Sequence, residues 1–138
     1  MSWFVFALLS ALFAAITAVL AKIGVSKIDS NLATAIRTIV ITLFAWGIVF
    51  FQGTFHQTGS ISKHTLIFLI LSGVTTGISW LFYFKALQLG SVSKVVPIDR
   101  LSLVLAVVFG ALLLGEKVTP LVIAGSLLMA LGAILVAF

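Results

Sequence analysis

The stretch from Trp3 to Ala21, WFVFALLSALFAAITAVLA, decides the fold of this 138-residue chain. It carries no charged side chain and is close to the length of about 20 apolar residues with which a helix crosses a ~30 Å hydrocarbon core. Short polar connections lead to four more apolar stretches of similar length, which are Leu32–Phe51, Thr65–Phe84, Val95–Leu114 and Val118–Phe138. The sequence therefore predicts an all-α integral membrane protein with five transmembrane helices.

The composition excludes a water-soluble fold. Hydrophobic residues make up 62% of the chain and charged residues 8%, against roughly 45–50% and 25% in ordinary globular domains. In a soluble chain the net charge of +5 would suggest nucleic acid, but here the basic residues are scattered at helix ends, so no nucleic-acid partner is expected. Without cysteine, a cluster of metal ligands or a nucleotide-binding motif, the sequence predicts no enzyme, catalytic residue, metal or cofactor.

The five helices are expected at about residues 3–22, 32–51, 65–88, 95–114 and 120–138, within a single domain spanning residues 1–138. The positive-inside rule gives an ambiguous orientation. Six basic residues lie toward the C-terminal side of the membrane and two toward the other side, which favours a cytoplasmic C-terminus. Four of the six lie within or at the end of apolar spans, and without them the bias is zero. Such a balance is typical of a chain that inserts in both orientations.

A charge inside a span costs about 2.5–3.5 kcal/mol at a helix centre, so an embedded basic residue usually faces protein or a water-filled cavity. Two basic residues are therefore candidate substrate-binding groups. Lys22 continues a stripe of alanines on the first helix, and it either points into a cavity or extends to the lipid headgroups. Arg37 lies about two turns into the second helix, beside Thr34 and Thr38. It either faces a cavity or reaches the membrane interface.

The third helix supplies further candidates for substrate binding. Its hydroxyl groups share one face, with the aromatic residue Trp80 next to them. The candidate substrate-binding residues on this helix are Thr76, Ser79, Trp80 and Tyr83. Such a stripe could line a ligand path and orient a substrate by hydrogen bonds. The alternative is helix packing through Gly73 and Gly77 with the aromatic residues in the interfacial belt.

Near the start of the fourth helix, the segment Pro97-Ile98-Asp99-Arg100 predicts either a helix that begins near the proline or one that is broken there. Pro97 is the expected hinge, Arg100 a substrate-binding residue, and Asp99 a first-turn acid for proton coupling or charge balance. Embedded charge amounts to four cations (Lys22, Arg37, Lys85 and Arg100) minus one acid, or +3. This excess favours a substrate with a carboxylate group or a zwitterion.

The last helix carries Gly125 and Gly132 seven residues apart. A glycine at every second turn allows close approach of another helix, so these two residues are the expected dimer seam.

Three motifs together resemble the EamA domain of the drug/metabolite transporter superfamily, and the resemblance covers the whole chain. They are Tyr83-Phe84-Lys85-Ala86-Leu87-Gln88-Leu89-Gly90, Val95-Val96-Pro97-Ile98-Asp99-Arg100 and Leu114-Gly115-Glu116-Lys117-Val118-Thr119-Pro120. Most members of that family are similar to ten-helix proteins built from two such domains in opposite orientation. This chain resembles a single-domain member of the five-helix bacterial and archaeal branch.

The resemblance implies a multi-pass secondary transporter of the bacterial or archaeal cytoplasmic (inner) membrane. It would export small polar metabolites such as amino acids by alternating access. The chain would form a homodimer, for which an antiparallel arrangement is one option. The first helix lacks the glutamate of the four-helix multidrug members, so their proton-coupled cation antiport is not implied. A different hypothesis remains open, in which the chain is a non-transporting subunit or scaffold of a larger membrane complex.

Overall fold

The computed structural model describes residues 3–138, and the first helix begins at Trp3. The helices are α1 (Trp3–Val25), α2 (Ser30–Phe51), a 3₁₀ helix (Thr54–Ser60), α3 (Lys63–Leu89), α4 (Val92–Asp99), α5 (Ser102–Leu114) and α6 (Pro120–Ala137). Of the described residues 87% are helical, and no strand occurs among them. Residues 1 and 2 of the predicted domain lie outside the described range.

Five segments of the described chain are long and apolar enough to cross a bilayer. They are α1, α2, α3, the combined segment Val92–Leu114 and α6. The predicted fold class, an all-α membrane protein with five transmembrane helices, is confirmed. Three of the spans begin two or three residues earlier than predicted, at Ser30, Lys63 and Val92.

Side-chain caps fix where two of the helices begin. The Asp29 carboxylate accepts hydrogen bonds from the backbone N–H groups of Asn31 and Leu32, at 2.9 and 3.1 Å. The Thr119 hydroxyl oxygen accepts from Val122 N–H at 3.3 Å, and Pro120 occupies the first position of α6. These interactions satisfy donors that the first helical turn would otherwise leave unpaired. Proline at that position costs nothing, because its missing N–H has no helical partner there.

The fourth span is interrupted, but not where the sequence predicted. Helix α4 begins at Val92, contains Pro97 and ends at Asp99, and α5 begins at Ser102. Through the interruption the backbone bonds tighten to the i→i+3 pattern: Leu101 N–H donates to the Ile98 carbonyl at 3.0 Å, and Leu103 N–H to that of Arg100 at 3.0 Å. The expected placement of Asp99 in a first turn is therefore wrong, because it is the last residue of α4.

The helices divide into two compact units, one containing residues 23–88 and the other residues 1–22 and 89–138. In the 23–88 unit, α2 and α3 follow one another through the 3₁₀ helix, which packs against α2. The rings of Trp46, Phe50 and Phe55 cluster at this end of α2, with the two phenylalanine rings stacked at 5.0 Å. Aromatic groups of this kind are typical of the membrane–water interface.

In the other unit, α6 packs against both α4 and α5. Its two buried residues, Ser126 and Ala133, are small, so neighbouring backbones can approach closely. Gly115 ends α5 in the left-handed conformation at φ +68°, which glycine adopts without steric cost. This glycine belongs to the Leu114-Gly115-Glu116 turn that separates the last two spans.

Candidate functional site

The guanidinium of Arg37 is a charged group within a span, and it packs against two aromatic rings of α3. Its Cζ atom is 4.4 Å from the centroid of the Trp80 ring and 5.3 Å from that of Phe84. Tyr83 lies next to Phe84, with the two ring centroids 6.2 Å apart. Arg37, Trp80 and Tyr83 are half-buried, and Phe84 is buried. We call these four residues the Arg37 cluster, and all of them belong to the 23–88 unit.

The spacing of Trp80 and Phe84 in α3 explains why both rings contact the Arg37 guanidinium. Trp80 and Phe84 are four residues apart, so they lie one helical turn from each other on the same face. Arg37 follows Ser30 by seven residues, which places its backbone about 10 Å along α2 at 1.5 Å per residue. Trp80 precedes Leu89, the last residue of α3, by about 14 Å on the same scale. The guanidinium is thus held within the span rather than at its end.

Two hydroxyl groups of α3 that were predicted to bind substrate differ in how they are bonded. The Thr76 hydroxyl donates to the Ser72 carbonyl at 2.8 Å, the usual bond of a threonine inside a membrane helix. Ser79 is exposed, and no side-chain hydrogen bond from it occurs among residues 3–138. A hydroxyl that donates to its own helix keeps lone pairs that can accept. Both residues can therefore still bind a donor group.

Gln88 joins the end of α3 to the connection between α1 and α2. Its side-chain amide donates to the Ile28 carbonyl at 2.9 Å and to the Val25 carbonyl at 3.4 Å. Its amide oxygen accepts from the Lys85 ammonium at 3.0 Å. The sequence alone indicates no role for Gln88, which here satisfies carbonyls left open where α1 ends.

Lys22 lies near the end of α1, half-buried, and its ammonium donates to the Gly90 carbonyl at 2.8 Å. Gly90 lies in the short connection between α3 and α4. Lys22 and Gly90 both belong to the unit of residues 1–22 and 89–138. The ammonium therefore binds a carbonyl of the protein, in addition to supplying positive charge.

Substituting Lys22 separates these two contributions. We expect Lys22→Met to lower the melting temperature, because the Gly90 carbonyl loses a charged donor and such bonds stabilise by about 1.5–3 kcal/mol. Lys22→Gln retains a donor and is expected to keep most of the stability while transporting more slowly. Thermal unfolding in detergent and flux in proteoliposomes measure the two effects. Equal melting temperatures for Met and Gln would show that the bond to Gly90 does not stabilise the fold.

Asp99 and Arg100 lie at the interruption of the fourth span. Asp99 is half-buried and Arg100 exposed, and the described residues include no ion pair or side-chain hydrogen bond to either of them. Together with Lys22 they belong to one unit, whereas the other predicted substrate-binding residues belong to the 23–88 unit. Pro97, the expected hinge, lies two residues before the end of α4.

Gly125 and Gly132 lie on an exposed part of α6, and a Cβ atom added at either position would meet no atom within 4 Å. The glycines are therefore not used for packing within this chain.

Phe84 is the member of the Arg37 cluster that the sequence does not predict. In the sequence it belongs to a family motif and lies four residues after Trp80. The missing information was that α2 places a cation opposite these rings, which no pattern within α3 can reveal.

Comparison with known proteins agrees with this architecture. The EamA-like transporter family matches residues 1–138. A relative from Sinorhizobium sp, named "Uncharacterized transporter in cobO 3'region", is 48% identical over 136 residues, which cover 99% of this chain and 96% of the relative. No solved structure matches the chain. The chain, a multi-pass membrane protein, belongs to the EamA-like transporter family.

Proposed function

We propose that this chain is a secondary active transporter that exports small polar metabolites such as amino acids. The family and the name of the Sinorhizobium relative support a membrane transporter rather than an enzyme. The proposal adds the mode of transport, the direction and the substrate class. The location, also proposed, is the cytoplasmic (inner) membrane of a bacterium or archaeon.

The observation that carries the proposal is the position of Arg37. A guanidinium inside a span costs free energy, and here it packs against two ring faces. Embedded polar groups of this kind commonly mark substrate pathways. The excess of embedded positive charge favours substrates that carry a carboxylate.

Each candidate residue has a role in this proposal. Lys22, Arg37 and Arg100 attract or orient the substrate, and Trp80 forms part of the wall. Tyr83 and Ser79 hydrogen-bond the substrate, and Thr76 accepts from a substrate ammonium because its own proton is used by Ser72. Asp99 balances charge or binds the coupling proton. Pro97 lies where a helix interrupted within the membrane can bend.

The transport unit is proposed to be a homodimer, with the two copies inverted relative to each other. In the five candidate spans, no more than 11% of the residues in the most apolar window are buried, so most side chains are open to lipid or to a second copy. Two copies together would supply ten spans, the number in two-domain members of the family. Alternating access would then follow from rocking one copy against the other.

The proposal is tested by counterflow in proteoliposomes that contain the purified chain and a mixture of radiolabelled amino acids. We expect at least one amino acid to accumulate against its gradient in vesicles preloaded with the same unlabelled compound. Asp99→Asn and Arg100→Gln should each slow this exchange, and Lys94→Gln, which changes an exposed cation of α4, should not. A chain that exchanges nothing and co-purifies with an unrelated membrane protein would instead be the subunit of a larger complex.

A further inference from the structure

We propose that the Arg37 cluster is a receptor for the carboxylate group of the substrate, in which Phe84 is a positioning residue. The inference rests on the proposed function and narrows it: a carboxylate is the required feature of the substrate, whereas its amine and side chain are secondary. Arg37 contacts the substrate, and Trp80 and Phe84 fix the orientation of the guanidinium.

The distances support a fixed cation. Both ring centroids lie within about 6 Å of the guanidinium carbon, the range in which a cation is attracted to an aromatic face. Phe84 is only 2% exposed, so its ring has little freedom to move away. A half-buried arginine between two rings loses less conformational entropy on binding than a free one would.

The chemistry of arginine explains what such a fixed cation recognises. Attraction to a ring face requires no hydrogen-bond acceptor, and no hydrogen bond from the Arg37 side chain occurs among residues 3–138. The five N–H donors of the guanidinium lie in one plane. That fork matches the two oxygens of a carboxylate and forms two parallel charge-assisted hydrogen bonds. Within a span these bonds are stronger than in water, because the surroundings are less polar. An amide or an amine cannot replace the carboxylate there.

A lipid phosphate is the other anion available to an arginine in a membrane protein. An arginine that serves the headgroups extends its guanidinium into the polar interface, whereas the Arg37 guanidinium packs against the rings of Trp80 and the buried Phe84. We therefore assign the site to a soluble carboxylate. The two sources of an anion are separated in the experiment.

Trp80 allows binding to be measured directly, without flux. The chain has three tryptophans, so the variant Trp3→Phe/Trp46→Phe leaves Trp80 as the sole indole fluorophore. In a neutral detergent we expect saturable fluorescence changes with acetate and with L-alanine, and no saturable change with acetamide or L-alaninamide. Equal responses to the acids and their amides, or no response to either acid, would overturn the proposal. So would a response to phosphatidylglycerol in nanodiscs that the acids cannot displace.

Variants test the separate roles of Arg37 and Phe84. Arg37→Gln should abolish the fluorescence response to both acids. Phe84→Leu should weaken acid binding at least tenfold. Phe84→Tyr keeps an aromatic ring and should bind the acids nearly as well as the unmodified chain. Circular dichroism checks that each variant keeps its helices. Unchanged acid binding in Arg37→Gln, or in Phe84→Leu, would contradict the assigned role. Acid binding without transport would support the carboxylate site and contradict the proposed transporter function. Transport without a preference for acids would support the transporter function and contradict the carboxylate site.

Discussion

Arg37→Gln is expected to lower the rate of carboxylate transport at low substrate concentration by roughly 10- to 150-fold. Of the two proposed hydrogen bonds to the carboxylate, the glutamine amide can replace one. The bond that is lost contributes about 1.5–3 kcal/mol, and about 1.4 kcal/mol corresponds to a factor of ten. The glutamine retains an amide donor but has neither the charge nor the planar fork. The effect is measured as initial counterflow in proteoliposomes with equal amounts of inserted protein.

Two matched variants separate the shape of the Arg37 side chain from the loss of a positive charge. Arg37→Lys keeps the charge but replaces the fork with a point charge, so we expect it to recover only a minor part of the rate. Lys27→Gln removes one positive charge from the exposed connection between α1 and α2 and should transport like the unmodified chain. If Arg37→Gln transported as fast as Lys27→Gln, the Arg37 cluster would not be part of the substrate path.

The double variant Gly125→Leu/Gly132→Leu is expected to reduce the dimeric fraction at least tenfold and to abolish transport with it. Larger side chains at a glycine seam prevent the backbones of two helices from approaching. Within one chain, an added Cβ at either position meets nothing within 4 Å. The space beside the two glycines within the chain therefore favours a neighbour outside the chain as the cause of a large effect. Cross-linking in bilayers at several protein-to-lipid ratios measures the dimeric fraction.

Gly47→Leu is the matched control for this double variant. Gly47 is also an exposed glycine within a span, and an added Cβ there likewise meets nothing within 4 Å. We expect Gly47→Leu to leave both the dimeric fraction and transport unchanged. A double variant that remained dimeric would exclude this face of α6 as the seam, and the copies would then have to meet elsewhere.

The features of the fold that depend on local chemistry were predictable from the sequence. Hydrophobic stretches of bilayer length predict spans because a helix satisfies its own backbone in lipid. Asp29 and Thr119 are residue types that favour the N-cap position, and each places a side-chain oxygen beside the open N–H groups of a first turn. The family was recognisable because its three motifs lie at the end of α3, in α4 and in the turn before α6.

Features that depend on contacts between helices were not predictable. Pro97 indicated an interruption, but proline removes only one hydrogen bond, and the backbone stays helical for two more residues before α4 ends. Similarly, Arg37 had two interpretations of comparable weight, and only the rings of α3 show that its guanidinium is held within the span. No pattern within a single helix contains the position of its neighbour.

An inverted pair of copies is the central element of the proposed mechanism, and cysteine labelling tests it most directly. Lys27 and Gln57 are exposed in the connections at opposite ends of α2, and the chain has no native cysteine. Single cysteines at these positions would be labelled in intact cells with a membrane-impermeant thiol reagent. We expect partial labelling at both positions, because each copy exposes a different end of α2. Labelling at only one of them would show a single orientation and contradict the inverted homodimer.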